Sequence, residues 1–170
     1  LFSGIGGMRI PFQEKGLECV FSSETDKYAS MTYEAYFGEK PFGDITRISP
    51  SNIPDFDILL AGFPCQPFSQ AGLKRGLDDE RGGMFFTIRD IISYHKPRAF
   101  LLENVKGLRT HDNQKTLLRI FDELESLGYY VVSKIIAAKD FNLPQRRERL
   151  FIVGFKTKKY HNNFAVLKPL

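Results

Sequence analysis

The sequence predicts an α/β domain in which strands and helices alternate and ligands sit at the carboxyl ends of the strands. Three observations carry that expectation. The chain opens with a strand tail, Leu1-Phe2, a Gly-rich turn, Ser3-Gly-Ile-Gly-Gly7, and a helix from Met8 to Lys15, the shape of a nucleotide-binding βα unit. Two short apolar runs, Asp57-Ile-Leu-Leu60 and Ala99-Phe-Leu-Leu102, have the length of buried strands, and each leads into reactive residue types, Cys65 after the first and Glu103 after the second. Between later strands lies Gln114 to Leu127, whose Leu117, Leu118, Phe121, Leu124 and Leu127 are expected to share one helical face.

Composition bounds the remaining possibilities. At 170 residues the chain suits one domain, and with 42% hydrophobic and 26% charged residues it can bury a core. No apolar run reaches the roughly eighteen residues of a membrane-spanning helix, and no signal-peptide pattern is visible. The first residue is Leu1 rather than Met, so a missing natural N-terminus is expected. Two cysteines, Cys19 and Cys65, make neither a disulfide framework nor a zinc cluster. A reducing, cytoplasmic setting fits them, close to the nucleoid if the source is bacterial. Cys19, in Leu17-Glu-Cys-Val-Phe21, reads as a core residue. The net charge of +4 alone identifies no partner. Its clustering in Lys74-Arg75, in Arg146-Arg147 with Arg149, and in Lys156 with Lys158-Lys159 favours a polyanion.

Taken in order, Gly16 stops the first helix, and Val20-Phe-Ser-Ser23 reads as a second strand closed by Glu24. Glu24 follows Gly4 by twenty residues, the spacing at which an acid reaches ribose hydroxyls. Lys27 to Phe37 reads as a helix with Tyr28, Met31 and Tyr36 among its packing residues. Gly43-Asp-Ile45 ends a short third strand or turn, where Asp44 can accept a hydrogen bond from an adenine amino group. The opening turn lacks a P-loop pattern and has no basic residue to meet a pyrophosphate, so an adenosine cofactor without phosphates fits better. After Leu60, Gly62 turns the chain, and Pro64 and Pro67 flank Cys65 and Gln66. Each proline fixes its own φ and keeps its predecessor out of a helix. A thiol held stiffly past a strand end suits a nucleophile, since attack rewards fixed geometry. The stretch onward to Gly83 has no apolar periodicity and a basic tip, as a closing lid would.

Met84 to Tyr94 follows as a helix with Met84, Phe85, Ile88, Ile91 and Ile92 inward, broken by Pro97. The Ala99 strand ends in Glu103-Asn-Val105. If that strand neighbours the Cys65 strand, both groups face one crevice. Gly128 closes the amphipathic helix, Tyr129 to Ala138 reads as a strand, Asp140 to Gln145 as a turn, and Leu150 to Phe155 as the last strand. Arg146, Arg147 and Arg149 crowd its entry. His95, His111 and His161 read as surface residues without catalytic spacing to Cys65, so a Cys–His hydrolase has no support.

These residues resemble the DNA (cytosine-5)-methyltransferases, most of all the bacterial restriction-modification enzymes. The blocks carrying the resemblance are Phe2-Ser-Gly-Ile-Gly-Gly7, Glu24 with Asp26, Gly43-Asp-Ile45, Gly62-Phe-Pro-Cys-Gln-Pro-Phe-Ser69, Arg81-Gly82 before Phe85-Phe86, Glu103-Asn-Val105, and Pro144-Gln-Arg-Arg-Glu-Arg149. The resemblance implies an S-adenosylmethionine-dependent methyltransferase (Rossmann-like) fold. Its seven-stranded sheet would be mostly parallel, with helices on both faces and a last antiparallel strand. It implies S-adenosylmethionine as methyl donor, without a metal. Phe2, Gly4, Ile5, Gly6 and Gly7 would line that cofactor. Glu24 would hold the ribose, Asp44 and Ile45 would meet the adenine, and Phe63, Pro64 and Met84 would complete the site. Thr25 stands where some members carry an aromatic side chain over the adenine.

Cys65 would attack C6 of a flipped-out cytosine, a protonated Glu103 would donate to N3, and Arg149 with Arg147 would stabilise charge. Gln66, Ser69, Lys74 and Arg75 would contact double-stranded DNA. Residues 1–155 would form the catalytic and cofactor-binding domain. Residues 156–170 would begin the connection to a target-recognition region that this chain lacks and that a further stretch or a second polypeptide supplies. Two other readings stay open: a catalytically silent DNA- or partner-binding relative, and a thymidylate-synthase-type enzyme acting on free nucleotides.

Overall fold

Seven stretches of extended backbone lie side by side in the computed structural model, which describes residues 1–64 and 83–164. Four are full strands: β1 (Ile58–Gly62), β2 (Ala99–Val105), β3 (Tyr130–Ala137) and β4 (Glu148–Phe155), in the order β1-β2-β4-β3. β1 and β2 run parallel, and β4 is antiparallel to both β2 and β3. Beyond β1 the sheet continues through a few backbone bonds. The Leu1 amino group donates to the Leu60 carbonyl at 2.6 Å, and Ser3 N–H donates to Ser23 O at 3.0 Å. Phe42 N–H then reaches Ser22 O, and Glu24 N–H reaches Phe42 O, both at 2.8 Å. The order across the sheet is therefore Phe42, Ser22–Ser23, Leu1–Ser3, β1, β2, β4, β3. This mostly parallel sheet with a last antiparallel strand is the expected methyltransferase fold. Val20 to Ser23 does not make the expected strand. Only Ser23 forms a bridge, to Phe42, and Val20 is exposed without a ladder partner.

Parallel neighbours need a crossover, and α3 (Met84–His95) provides it between β1 and β2. The remaining helices are α1 (Arg9–Gln13), α2 (Lys27–Phe37), α4 (Lys115–Ser126) and α5 (Lys158–Asn163). α2 begins where the Asp26 side chain accepts from Ala29 N–H at 2.7 Å and ends at Gly38 in the left-handed region. Its packing differs from expectation. Tyr33 is the buried residue, whereas Tyr28, Met31 and Tyr36 are exposed. Tyr33 and Phe37, four residues apart, share the face turned to the Gly-rich loop. The Phe37 ring fills the space over Gly6, where a Cβ would stand 2.2 Å from it. α3 buries Phe85, Ile88, Ile91 and Ile92 as expected. α4 buries Thr116, Ile120 and Leu124 and packs Leu117, Phe121 and Leu127 against the core. Leu118 was expected on that face but is exposed, because one residue past Leu117 is about 100° around the helix.

Residues alternate along β1 and β2, so Leu59, Ala61, Phe100 and Leu102 enter the core with Leu150 and Ile152 of β4. Gly154 lies opposite Phe100 and leaves room for its ring; a Cβ there would sit 2.0 Å from it. His95 is not a surface residue. Its ring is buried between Pro50 O at 2.9 Å and Asp55 Oδ1 at 3.2 Å, and it pins the end of α3 to the turn at Pro50–Asn52. His111 is half-buried and bonds Thr116 Oγ1 at 2.7 Å, and His161 is half-buried beside the Tyr130 ring. Cys19 is half-buried rather than fully in the core, with its thiol directed at Phe21 O. Lys156, expected in a basic cluster, is instead engaged by the domain body: its Nζ donates to Leu127 O and lies 4.3 Å from the centre of the Tyr129 ring. Tyr160 and Phe164 pack on Phe155, which brings α5 back onto the sheet. Among the described residues no helix is long and apolar enough to cross a membrane.

Candidate active site

The carboxyl ends of parallel strands are where open α/β sheets hold ligands. Here β1 stops at Gly62, opposite Glu103, and β2 runs two residues further to Val105. A cavity of about 370 Å³ opens above them. Phe2, Glu24, Thr25, Asp44 and Ile45 enter it from the Leu1 side of the sheet, and Glu103, Arg147 and Arg149 from the β2–β4 side. Phe63, Pro64 and Met84 line it between them. One cavity thus gathers eleven of the residues expected at the site.

Glu24 is tied to backbone on both oxygens. Its Oε2 accepts from Gly4 N–H at 2.7 Å, and its Oε1 accepts from Thr25 N–H and Asp26 N–H, each at 2.8 Å. The Gly-rich turn and the start of α2 are therefore clamped by one carboxylate. Asp44 caps the following 3₁₀ turn, accepting from Thr46 N–H at 3.0 Å and from Thr46 Oγ1 at 2.7 Å. Those two bonds, with Arg47 nearby, hold its carboxyl below the ordinary range.

Glu103 faces two guanidiniums. Arg149 Nε lies 2.8 Å and Arg147 Nη2 3.8 Å from the same oxygen, Oε1. The antiparallel register explains the closer contact: Arg149 is paired with Val105, so its side chain lies diagonally across from Glu103 on the same face. The other oxygen, Oε2, looks over Gly62, 3.6 Å from where a Cβ would be. Any side chain at Gly62 would also meet the Met8 methyl at 3.2 Å, so the absence of one keeps this oxygen open to the cavity.

Not every expected residue reaches the cavity. Gly4 gives its N–H to Glu24, Ile5 and Gly7 are exposed, and Gly6 packs under Phe37. Gly6 lines a different cavity, of about 490 Å³, between α1 and the edge of β1. Cys65, Gln66, Ser69, Lys74 and Arg75 lie outside the described residues. Pro64, which directly precedes Cys65, is part of the cavity wall. Conversely, Ser23, Gly43, Gly62, Asn104 and Val105 line the cavity without having been assigned a site role, although all but Ser23 belong to the blocks that carry the resemblance. Asn104 offered a signal, since an amide inside an apolar strand must find partners. Ser23 offered none. It is 1% exposed, and its Oγ has no partner among the described residues.

The chain matches the family described as C-5 cytosine-specific DNA methylase over residues 1–169. It is 62% identical over 171 residues to the type II methyltransferase M.DsaV of Dactylococcopsis salina, covering 100% of this chain and 49% of that protein. It is 58% identical over 170 residues to M.HaeII of Haemophilus aegyptius, covering 100% of this chain and 52% of that one. The chain thus spans about half the length of the curated relatives it matches. Among solved structures, the Dnmt2 methyltransferase of S. pombe superposes with a TM-score of 0.73 at 23% identity, over 91% of this chain and 49% of that one, a likeness of fold alone. The C-5 cytosine-specific DNA methylases, with their type II members, are the family to which this chain belongs.

Proposed function

We propose that this chain is the catalytic and cofactor-binding part of an enzyme that transfers a methyl group from S-adenosylmethionine to C5 of cytosine in double-stranded DNA, within a restriction-modification system. The observation that carries the proposal is the single cavity. It joins Glu103, with its two arginines, to Glu24 and Asp44, directly above the strand end that leads through Pro64 into Cys65.

The residues fit the cofactor. Two carboxylates and the Ser23 hydroxyl, which has no partner among the described residues, offer acceptors for ribose hydroxyls and an adenine amino group. Phe2, Ile45, Phe63, Pro64 and Met84 offer apolar walls. When bound, S-adenosylmethionine supplies the electrophilic methyl group that C5 takes up. Glu24 holds the ribose through its remaining lone pair, and Asp44 accepts from the adenine.

The substrate steps follow from residue chemistry. Cytosine C5 is a poor nucleophile until sulfur adds at C6. Cys65 thiolate forms the S–C6 bond, and the electron pair of C5=C6 moves toward C5 and N3. Glu103 delivers a proton from Oε2 to N3, which leaves a neutral enamine with a nucleophilic C5. Arg149 and Arg147 fix the carboxyl by its other oxygen. After methylation a solvent water takes the C5 proton, the C–H electron pair restores C5=C6, sulfur departs as thiolate, and Glu103 recovers the N3 proton. Acid help of this kind is worth about 10²–10⁴ in rate. The target base must leave the duplex to meet these groups.

Residues 1–155 serve as the catalytic domain in this reading, and 156–170 begin the connection to the target-recognition part, in the same or a second polypeptide. The test is transfer of tritiated methyl from S-adenosylmethionine to DNA by the complete enzyme, with free dCMP as control. DNA is expected to be labelled and dCMP not. Cys65→Ala should abolish labelling with little change in folding or cofactor affinity. DNA carrying 5-fluorocytosine should trap a covalent adduct with the unmutated enzyme. Turnover by Cys65→Ala, or labelling of dCMP alone, would reject the proposal.

A further inference from the structure

Asn104 has no place in the chemistry just described, yet it is 2% exposed at the end of β2 and makes two side-chain hydrogen bonds. Its Nδ2 donates to Phe63 O at 2.9 Å, and its Oδ1 accepts from Val105 N–H at 2.8 Å. These bonds stand where the β1–β2 ladder stops. The last paired residues are Gly62 and Glu103, and Phe63 comes next on β1. Pro64 has no N–H to continue the ladder. Val105 N–H, a donor that a longer parallel ladder would use, is taken by Asn104 itself. The Phe63 carbonyl is left needing a donor in a buried setting, and Phe63 itself is 2% exposed. One primary amide meets both needs. It replaces a rung of backbone ladder with a side-chain rung and so sets the direction in which the chain leaves the sheet.

Resting on the function proposed above, we infer that Asn104 is a positioning residue for the nucleophile. It fixes the Phe63–Pro64 exit from β1, and Cys65 is the next residue. Glu103 is its immediate neighbour, so the same strand end aims the acid and braces the chain carrying the thiol. Asn104 acts through Phe63: both of its side-chain hydrogen bonds go to protein backbone.

The discriminating variant is Asn104→Asp in the complete enzyme. It keeps the shape and the acceptor for Val105 N–H but turns the donor facing Phe63 O into an acceptor. Single-turnover methyl transfer, and the rate of adduct formation with 5-fluorocytosine DNA, should each fall by about 10–100-fold, the scale of a misplaced reacting group. Cofactor and DNA affinities should stay within about threefold, since the amide groups changed are the ones already bonded to backbone. A rate equal to the unmutated enzyme, or a loss confined to cofactor affinity, would overturn the inference. Failure of the proposed function reads differently: the unmutated enzyme would not label DNA, or Cys65→Ala would still turn over. If Asn104→Asp does not fold, the unmutated protein supplies the measurement. By nitrogen-15 NMR the side-chain amide of Asn104 should exchange its protons with water far more slowly than a solvated asparagine amide does. Exchange as fast as that of a solvated amide would overturn the bond on which the inference stands.

Discussion

Replacing Glu24 tests the proposed cofactor half of the cavity, and the size of the effect can be worked from its bonds. A carboxylate offers about four lone-pair positions. Three are used by Gly4, Thr25 and Asp26 N–H, two on Oε1 and one on Oε2. The remaining position is on Oε2, and it is the one available to a ribose hydroxyl. Glu24→Gln can keep an oxygen facing Thr25 and Asp26, but its NH₂ then meets Gly4 N–H donor to donor, and the free acceptor is gone. Glu24→Ala loses all three bonds. Cofactor affinity should therefore fall by about 1–3 kcal/mol in both variants, roughly 5- to 150-fold in Kd. Stability should separate them. Loss of the acceptor at the helix start in Glu24→Ala should cost about 0.5–2 kcal/mol, or about 2–4 °C in Tm per kcal/mol for a chain of this size, with Glu24→Gln losing less. Calorimetric titration of S-adenosylmethionine and thermal unfolding of the same samples measure the two effects. Affinity unchanged within twofold in Glu24→Gln would refute the assignment of that free oxygen to the ribose.

Three other perturbations follow from the geometry. Glu103→Gln should slow single-turnover methylation by about 10²–10⁴, because an amide keeps a hydrogen bond but delivers no proton; an unchanged rate would remove Glu103 from the acid role. Gly154→Ala should cost about 1–3 kcal/mol by overpacking, since its Cβ would stand 2.0 Å from the buried Phe100 ring; a neutral result in denaturant unfolding would mean that the ring can move aside. Asp44 is depressed chiefly by the Thr46 hydroxyl and then by Thr46 N–H. Its contribution to stability should be present above the ordinary carboxylate pKa of about 4 and be lost as pH falls through the lower folded value. In Thr46→Val the Asp44 carboxyl, followed by NMR, should titrate at higher pH, and an unshifted titration would rule out the hydroxyl as the main cause.

Much of the fold was legible because local chemistry and packing agreed. Asp26 and Gly38 bracket α2 with a cap and a left-handed stop, and the apolar spacing of Phe85, Ile88, Ile91 and Ile92 survives in α3. Glu103 was legible because a carboxylate ends an apolar run, and the register opposite Gly62 then followed from parallel pairing. What failed depended on distant neighbours. Tyr28, Met31 and Tyr36 look apolar enough to pack, but only Tyr33 and Phe37 face the glycine loop. His95 carries no local sign that Pro50 and Asp55, some forty residues earlier, will enclose it. The Arg149 contact with Glu103 was foreseen only as a shared role, because the diagonal that joins them exists only once β2 and β4 align.

The mixed pairing of the sheet bears on the order in which the chain folds. β3 and β4 meet across about ten intervening residues, with Ala137 opposite Glu148, whereas β1 and β2 join Gly62 to Glu103 across the whole α3 crossover. Closing a short loop costs less entropy than closing a long one, and non-local pairing is the slow step in mixed sheets. The β3–β4 hairpin should therefore form first and present Arg149 as a preformed edge on which β2 docks. β1, and with it the exit toward Cys65, would be secured last. Under that order, truncations in the β3–β4 hairpin, such as Ile135→Val, should slow folding, while truncation of Leu59 should chiefly speed unfolding. The reverse pattern would mean that the parallel pair is the nucleus.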